Sequence, residues 1–438
     1  MKLKQNKISY IALPIISSLI LNGCGNENTN PNQLSLYSES SSNSDSSEWG
    51  KKVKELPSFR LKQKGTTLLS YLAFDNNKES ERHELKPLIN QHELAGSNEN
   101  FNQVIFTDGD QQADTRRYFI VKDKNKDKIV SSYVQSKRDY DTGDYKSLAA
   151  FLKWGFSNYP AKRKIVDIND HGVAYHGIAV DDTSNSLISL PNLAKAIKMG
   201  AGKIDILNMD ACLMSTIEVS YELRNLVDVI VSSEDNTLRT GMGYVQHLPE
   251  IIAKSHTNEE IAQNIVDMSD RLGKDLSHYF DPDSKVPNVF TISAVKESDM
   301  ERLTFHLNRL SRMLLNKIQD YRRPLKTAFE KTHVLVVNKL DTFDMGQRDL
   351  YEVLARIEIE INGNKNLKDQ EILNTIKNTR EAANRAIFRA RIHQSEKFAE
   401  GMGINISSDA VQSEEYKNTA FAKDTLWDEL VEAINSPH

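Results

Sequence analysis

Two residues of this 438-residue chain, His171 and Cys212, are the first candidates for chemistry. Only two cysteines are present, Cys24 and Cys212, which excludes a disulfide framework and leaves each needing its own explanation. Cys212 stands in Asp210-Ala211-Cys212-Leu213-Met214, just after the apolar run Ile204-Asp205-Ile206-Leu207-Asn208. Asp170-His171-Gly172 follows a similar run, Lys164-Ile165-Val166-Asp167-Ile168. A thiolate is the reactive form of cysteine, and it is favoured beside a histidine and at a helix N-terminus. A histidine whose ordinary pKa lies near neutrality can take or give the proton. If both runs are strands of one parallel sheet, their carboxyl ends share an edge, where such sheets gather functional groups. His171 and Cys212 then have the makings of an acid/base partner and a nucleophile. Alone, such a cysteine also serves as a small buried residue and such a histidine as a surface one; their joint placement points to chemistry.

Other motifs fail. Gly200-Ala201-Gly202-Lys203 lacks the earlier glycine and the following Ser or Thr of a phosphate loop, and it precedes a strand. Gly241-Met242-Gly243 lacks a third glycine and a preceding strand, and no Gly-x-Ser-x-Gly elbow occurs. Asp123-x-Asn125-x-Asp127 opens like a calcium loop, but Lys128 and Val134 stand where glycine and glutamate belong. His171 and His176 are not spaced for one helix face, so no metal site is expected.

The elements that must position the pair alternate. Strands are expected at Thr66–Phe74, Gln103–Thr107, Lys164–Ile168, Ile204–Asn208, Asp228–Ser232 and Val289–Ser293, with a hairpin from Arg117 to Val134. Helices are expected at Asp144–Phe156, Leu190–Met199, Met214–Asn225 and Lys296–Ile318, and helical patterns dominate Leu350–Phe398. Gly401–Ile406 is expected to return to the sheet. The fold class is therefore α/β, a mostly parallel sheet flanked by helices with a helical C-terminal elaboration.

The N-terminus carries an address. Lys2, Lys4 and Lys7 precede an apolar run from Ile8 to Leu21, too short for a membrane span of roughly 20 residues. The run ends in Leu21-Asn22-Gly23-Cys24, which resembles the bacterial lipobox and implies cleavage before Cys24 and its lipidation; an ordinary secretory signal is the alternative. Residues 1–23 are thus expected as a signal peptide and 24–59 as a flexible Ser/Asn-rich tether. The folded domain is expected over 60–410, and 411–438 as a C-terminal extension. The formal charge is −5, and losing the signal removes three lysines and leaves −8, so nucleic acid is not an expected partner. Hydrophobic residues at 39% suffice for a sizeable core.

The paired motifs Asp170-His171-Gly172 and Asp210-Ala211-Cys212-Leu213-Met214 resemble the clostripain family of cysteine peptidases, with its caspase/haemoglobinase-like fold. Tyr71–Asn77, Asp141-Thr142-Gly143-Asp144 and Gly401–Ile404 are similar as well. The resemblance implies that His171 and Cys212 form a catalytic dyad, that the N–H groups of Gly172 and Cys212 make an oxyanion hole, and that Asp210 lies in a pocket selecting Arg or Lys before the cut bond. Capping of the next helix is the other reading of Asp210. The resemblance implies polypeptide substrates and an association with calcium, although no cofactor is required by the sequence and no calcium loop is recognisable. The expected function is that of a lipid-anchored endopeptidase of the bacterial cell envelope, facing periplasm or exterior. A non-catalytic binding lipoprotein is the rival, and acyl transfer to an amine would use the same residues. Residues 172–194 hold no Lys or Arg, and Lys195, Lys198 and Lys203 fall within or beside the expected helix and strand, so self-cleavage there is not expected; Val173-Ala174-Tyr175 replace the further glycines typical after His-Gly, which would narrow the mouth of the site.

Overall fold

The strands that carry His171 and Cys212 are neighbours. A computed structural model describes residues 48–59, 62–80, 83–235, 237, 242–276, 290–335, 346–393 and 400–436. Among them the strands are β1 (Lys64–Ala73), β2 (Phe101–Asp108), β3 (Arg116–Phe119), β4 (Ser132–Gln135), β5 (Ala161–Asn169), β6 (Gly177–Asp181), β7 (Ser186–Ser189), β8 (Ile204–Asp210), β9 (Val227–Ser232), β10 (Phe290–Lys296), β11 (Gln347–Asp349), β12 (Ile387–His393) and β13 (Gly403–Asn405). The longer helices are α1 (Leu85–Ala95), α2 (Tyr145–Asn158), α3 (Leu190–Gly200), α4 (Ile217–Leu223), α5 (Leu248–Lys254), α6 (Asn258–Leu276), α7 (Met300–Asn316), α8 (Ile318–Glu330), α9 (Leu350–Gly363), α10 (Gln370–Ala386) and α11 (Trp427–Asn435).

The main sheet runs β12-β10-β9-β8-β5-β1-β2-β3-β4. Its centre, β9-β8-β5-β1-β2, is parallel, and the strands outside it are antiparallel. The central strands are covered on both faces, so their Ile, Val and Leu are buried together with polar residues such as Asp167 and Asn208, which hydrogen-bond to each other. One face (Leu69, Tyr71, Val166, Ile168, Leu207) packs on residues of α2 and α3 such as Leu148, Leu152, Leu193 and Ile197. The other (Leu68, Ile165, Ile206, Val229, Val231) packs on Met242, Tyr244 and α6. A third cluster joins α7–α11 to Ile217 and to Cys212 itself.

Three expected elements are corrected. The helix expected from Met214 starts at Ile217, because residues 211–216 form a tight turn and Thr216 is the cap, its hydroxyl accepting from Val219 N–H. The helical stretch to Phe398 ends at Ala386. Ile387–His393 is β12, paired antiparallel with β10, its alternation masked by Arg389 and Arg391, which bind Asp267 on α6. Gly401–Ile406 does not rejoin the main sheet; β13 pairs with β11 in a separate ribbon. Several elements had no sequence expectation, among them α1, α6, α8 and the β6–β7 hairpin.

Residues 48–59, expected in the tether, run beside β4: Val53 N–H donates to Tyr133 C=O, and Leu56 is buried. Residues 411–436, expected as an extension, are packed into the third cluster through Tyr416, Phe421 and Trp427. The signal segment and Cys24 lie outside the described residues. No helix among the described residues is long and apolar enough to cross a membrane.

Candidate active site

Strands β5 and β8 pair in parallel from Ile165↔Ile206 to Asn169↔Asp210. His171 and Cys212 are both two residues past that last pair, so the same register sets them opposite each other on strands about 4.8 Å apart. Asp170 N–H still donates to Asp210 C=O at 3.4 Å. Gly172 lies so close to the Cys212 loop that an added Cβ would overlap the Cys212 carbonyl oxygen and sit 2.8 Å from Met214 Cγ. Only glycine permits that approach.

The turn after Cys212 is strained. Leu213 has φ +64°, a left-handed conformation that costs a non-glycine residue on the order of 1–3 kcal/mol. Neighbouring segments hold it: Leu213 N–H donates to Asp235 C=O, Ser215 N–H to Ser233 C=O, and Gly403 N–H to Ser215 C=O. The helix-terminus effect expected to favour the thiolate is absent, since α4 begins five residues later. Thr237 takes that place: its N–H points at Cys212 Sγ from 3.4 Å, with its hydroxyl 3.8 Å away. Both His171 and Cys212 are buried, 2% exposed.

The histidine side is built by a residue that motif spacing did not single out. Asn77, in the turn after β1, places its amide oxygen 2.8 Å from His171 Nε2. Next to it, Asn76 donates to Asp170 Oδ1 (2.8 Å) and to Val180 C=O (3.0 Å), and Val180 N–H binds Asp170 Oδ2. Burial pushes the Asp170 carboxyl up to about 8. Ala179 N–H donates to His171 C=O and Val173 N–H to Gly177 C=O, a ladder that leaves the Gly172 N–H out. The Asp75-Asn76-Asn77 cluster reads as a simple turn in the sequence, and its resemblance to family sequences was the one available signal.

Asp210 ends β8 and does not cap a helix. Its Oδ2 accepts from Met242 N–H (2.6 Å) and from Asn169 Nδ2 (3.1 Å), while Lys78 Nζ donates to Asn169 Oδ1 (3.2 Å). Burial, with the like charge of Asp167 nearby, pushes its carboxyl up to about 7. It is 6% exposed. His176 lies in a 3₁₀ turn and burial lowers it to about 4. Lys195 and Lys198 are inside α3, where a protease finds no extended backbone. Acidic groupings that could hold a cation are Asp75/Asp108/Asp181 and Asp108/Asp114/Asp139.

A mostly parallel, helix-covered sheet with a cysteine and a histidine at matched ends of adjacent central strands defines a caspase-like α/β class. The sequence pattern of the clostripain family matches residues 70–433, and the chain belongs to that family. Clostripain of Hathewaya histolytica is 26% identical over 249 residues, which are 48% of this chain and 47% of that protein, so the match spans about half of that relative's length. A secreted C11 cysteine protease from Bacteroides thetaiotaomicron, solved with an irreversible peptide inhibitor, matches 85% of this chain and 99% of its own at TM-score 0.56 and 18% identity. An inactive zymogen C11 protease from Parabacteroides distasonis matches 83% and 99% at TM-score 0.61 and 17% identity. At such identities these two likenesses speak to the fold.

Proposed function

We propose that the chain is a cysteine endopeptidase that cuts polypeptides after Arg or Lys, held at the bacterial cell envelope by a lipid on Cys24. The observation that carries this reading is the matched register of β5 and β8, with Gly172 pressed against the Cys212 carbonyl. Because the Asn77 amide oxygen can only accept, it fixes the proton of neutral His171 on Nε2 and leaves Nδ1 as the base. The Cys212 thiol gives its proton to that nitrogen, and Sγ attacks the scissile carbonyl carbon. The oxyanion is held by the N–H groups of Gly172 and Cys212. As the tetrahedral species collapses, the C–N bond breaks and His171 returns the proton to the leaving amine. Water then attacks the thioester, His171 takes one of its protons, and the thiol is restored as the acid departs. Asp210 receives the basic side chain, with Asn169 and Met242 N–H holding its carboxylate in place.

Attack requires a peptide to reach a sulfur that is 2% exposed in this structure. That burial is also the observation favouring the rival reading, a binding lipoprotein without turnover. The test is incubation of the soluble chain lacking residues 1–24, under reducing conditions, with reporter peptides ending in Arg, Lys, Asp or Leu. Cleavage after Arg or Lys that vanishes in Cys212→Ala is expected; no turnover with or without calcium favours the binder. The anchor is tested separately: the full-length protein should enter the detergent phase on partitioning, and Cys24→Ser should not.

A further inference from the structure

We propose that Lys78 is a positioning residue for substrate selection: through the Asn169 amide it keeps Asp210 charged and aimed for the basic side chain. Lys78 follows Asn76 and Asn77 in the turn after β1, and each of the three reaches a different part of the site. Asn76 donates to Asp170, Asn77 meets His171, and Lys78 Nζ donates to Asn169 Oδ1 at 3.2 Å. That last bond decides which way the amide faces. An ammonium group can only donate, so it takes the Asn169 oxygen and turns Nδ2 toward Asp210 Oδ2, 3.1 Å away. Met242 N–H donates to the same Oδ2. With both of these bonds on one oxygen, Oδ1 is the one offered to an incoming guanidinium or ammonium.

Lys78 is buried, its Nζ 3.5 Å from Glu84 Oε2 and 4.7 Å from the centroid of the Phe74 ring. A buried ammonium costs free energy unless anions meet it. Here they come from several elements: Glu84 before α1, Asp167 in β5, Asp170 just after it, and Asp210 at the end of β8. Asp170 has its own donors in Asn76 and Val180 N–H, and Asp167 has Asn208 and the Tyr244 hydroxyl. Asp210 is the member that the Lys78–Asn169 chain reaches by hydrogen bonds. Burial drives the Asp210 carboxyl toward its neutral form, with Asp167 and Glu84 adding to that, while the charge of Lys78 opposes it. A neutral Asp210 would offer an arginine a hydrogen bond and no countercharge. The inference rests on the specificity role proposed above for Asp210.

The test separates charge from scaffolding without turnover, in the chain lacking residues 1–24 and carrying Cys212→Ala. Asp210→Asn is added to this chain, to its Lys78→Met form and to its Glu84→Gln form, and all are melted thermally from pH 5 to 9. The gain in melting temperature from Asp210→Asn grows with pH and levels off where the folded Asp210 is fully charged. It should level off just above pH 7 with Lys78 and Glu84 in place, at least about half a pH unit higher in Lys78→Met, and lower in Glu84→Gln. With Cys212 restored, the preference for an arginine peptide over its citrulline counterpart should move along the pH axis in the same two directions. Lys78→Met should recover the full preference by pH 9, which a merely structural defect would not allow. Unmoved plateaus, or plateaus moved the same way by both substitutions, overturn the inference alone and leave the cleavage reading standing. Should Lys78→Met not fold, Glu84→Gln decides: an unmoved plateau overturns the coupling. Shifted melts without any arginine preference in the wild-type chain overturn the pocket role of Asp210, and with it the claim on selection.

Discussion

The Asn77 amide oxygen lies 2.8 Å from His171 Nε2, linking the turn after β1 to the loop after β5 across 94 residues of sequence. In the proposed mechanism this bond sets which imidazole nitrogen is the base. Asn77→Ala should lower kcat by about 10–100-fold, part of the 10²–10⁴ that acid–base catalysis typically supplies, with little change in KM. Asn77→Asp should keep the ring oriented but favour imidazolium, moving the acidic limb of the kcat/KM profile to higher pH. An unchanged pH profile in Asn77→Asp would assign Asn77 to loop structure alone.

Gly172 has no room for a side chain. Gly172→Ala should destabilise the protein by roughly 1–3 kcal/mol, the usual range for overpacking. If it folds, it should lose at least about 100-fold in kcat/KM, because the loops would part by a fraction of an ångström where reacting atoms must meet. Denaturant melts and peptide kinetics on one preparation read both effects. Full activity would remove Gly172 from the site.

Asp210 makes pH a probe of specificity. With its carboxyl raised to about 7 by burial, it becomes charged as pH rises from 6 to 8. The preference for an arginine peptide over its uncharged citrulline counterpart should grow across that interval, and Asp210→Asn should abolish both preference and trend. The same shift bears on stability. The folded pKa lies above the unfolded value, so the contribution is present below about pH 4 and is lost as pH rises through 7. Asp210→Asn should therefore stabilise the protein more at pH 8 than at pH 5, as thermal melts at the two pH values would show.

Much of this site could be read from residues alone because β5 and β8 are buried on both faces. Their clustered apolar residues (Ile165, Val166 and Ile168; Ile204, Ile206, Leu207 and Met209) mark the two strands, and His171 and Cys212 follow the last register pair at the same offset. What failed depends on contacts remote in sequence. The turn at Leu213 displaces the start of α4 because Asp235 and Ser233 from beyond β9 accept its N–H groups. β12 was hidden because Arg389 and Arg391 owe their place to Asp267, more than a hundred residues away. Asn77 and the Asp75/Asp108/Asp181 trio have no characteristic spacing, since three separate strand ends bring them together.

The most direct measurement is covalent trapping. The chain lacking residues 1–24, reduced and treated with an irreversible peptide electrophile ending in Arg or Lys, should gain one adduct per molecule. Peptide mapping by mass spectrometry should find it on Cys212, and it should be lost in His171→Ala and suppressed by excess arginine substrate. Hydrolysis that persists in Cys212→Ala, or a folded, reduced protein that takes up no adduct at Cys212, would contradict the account.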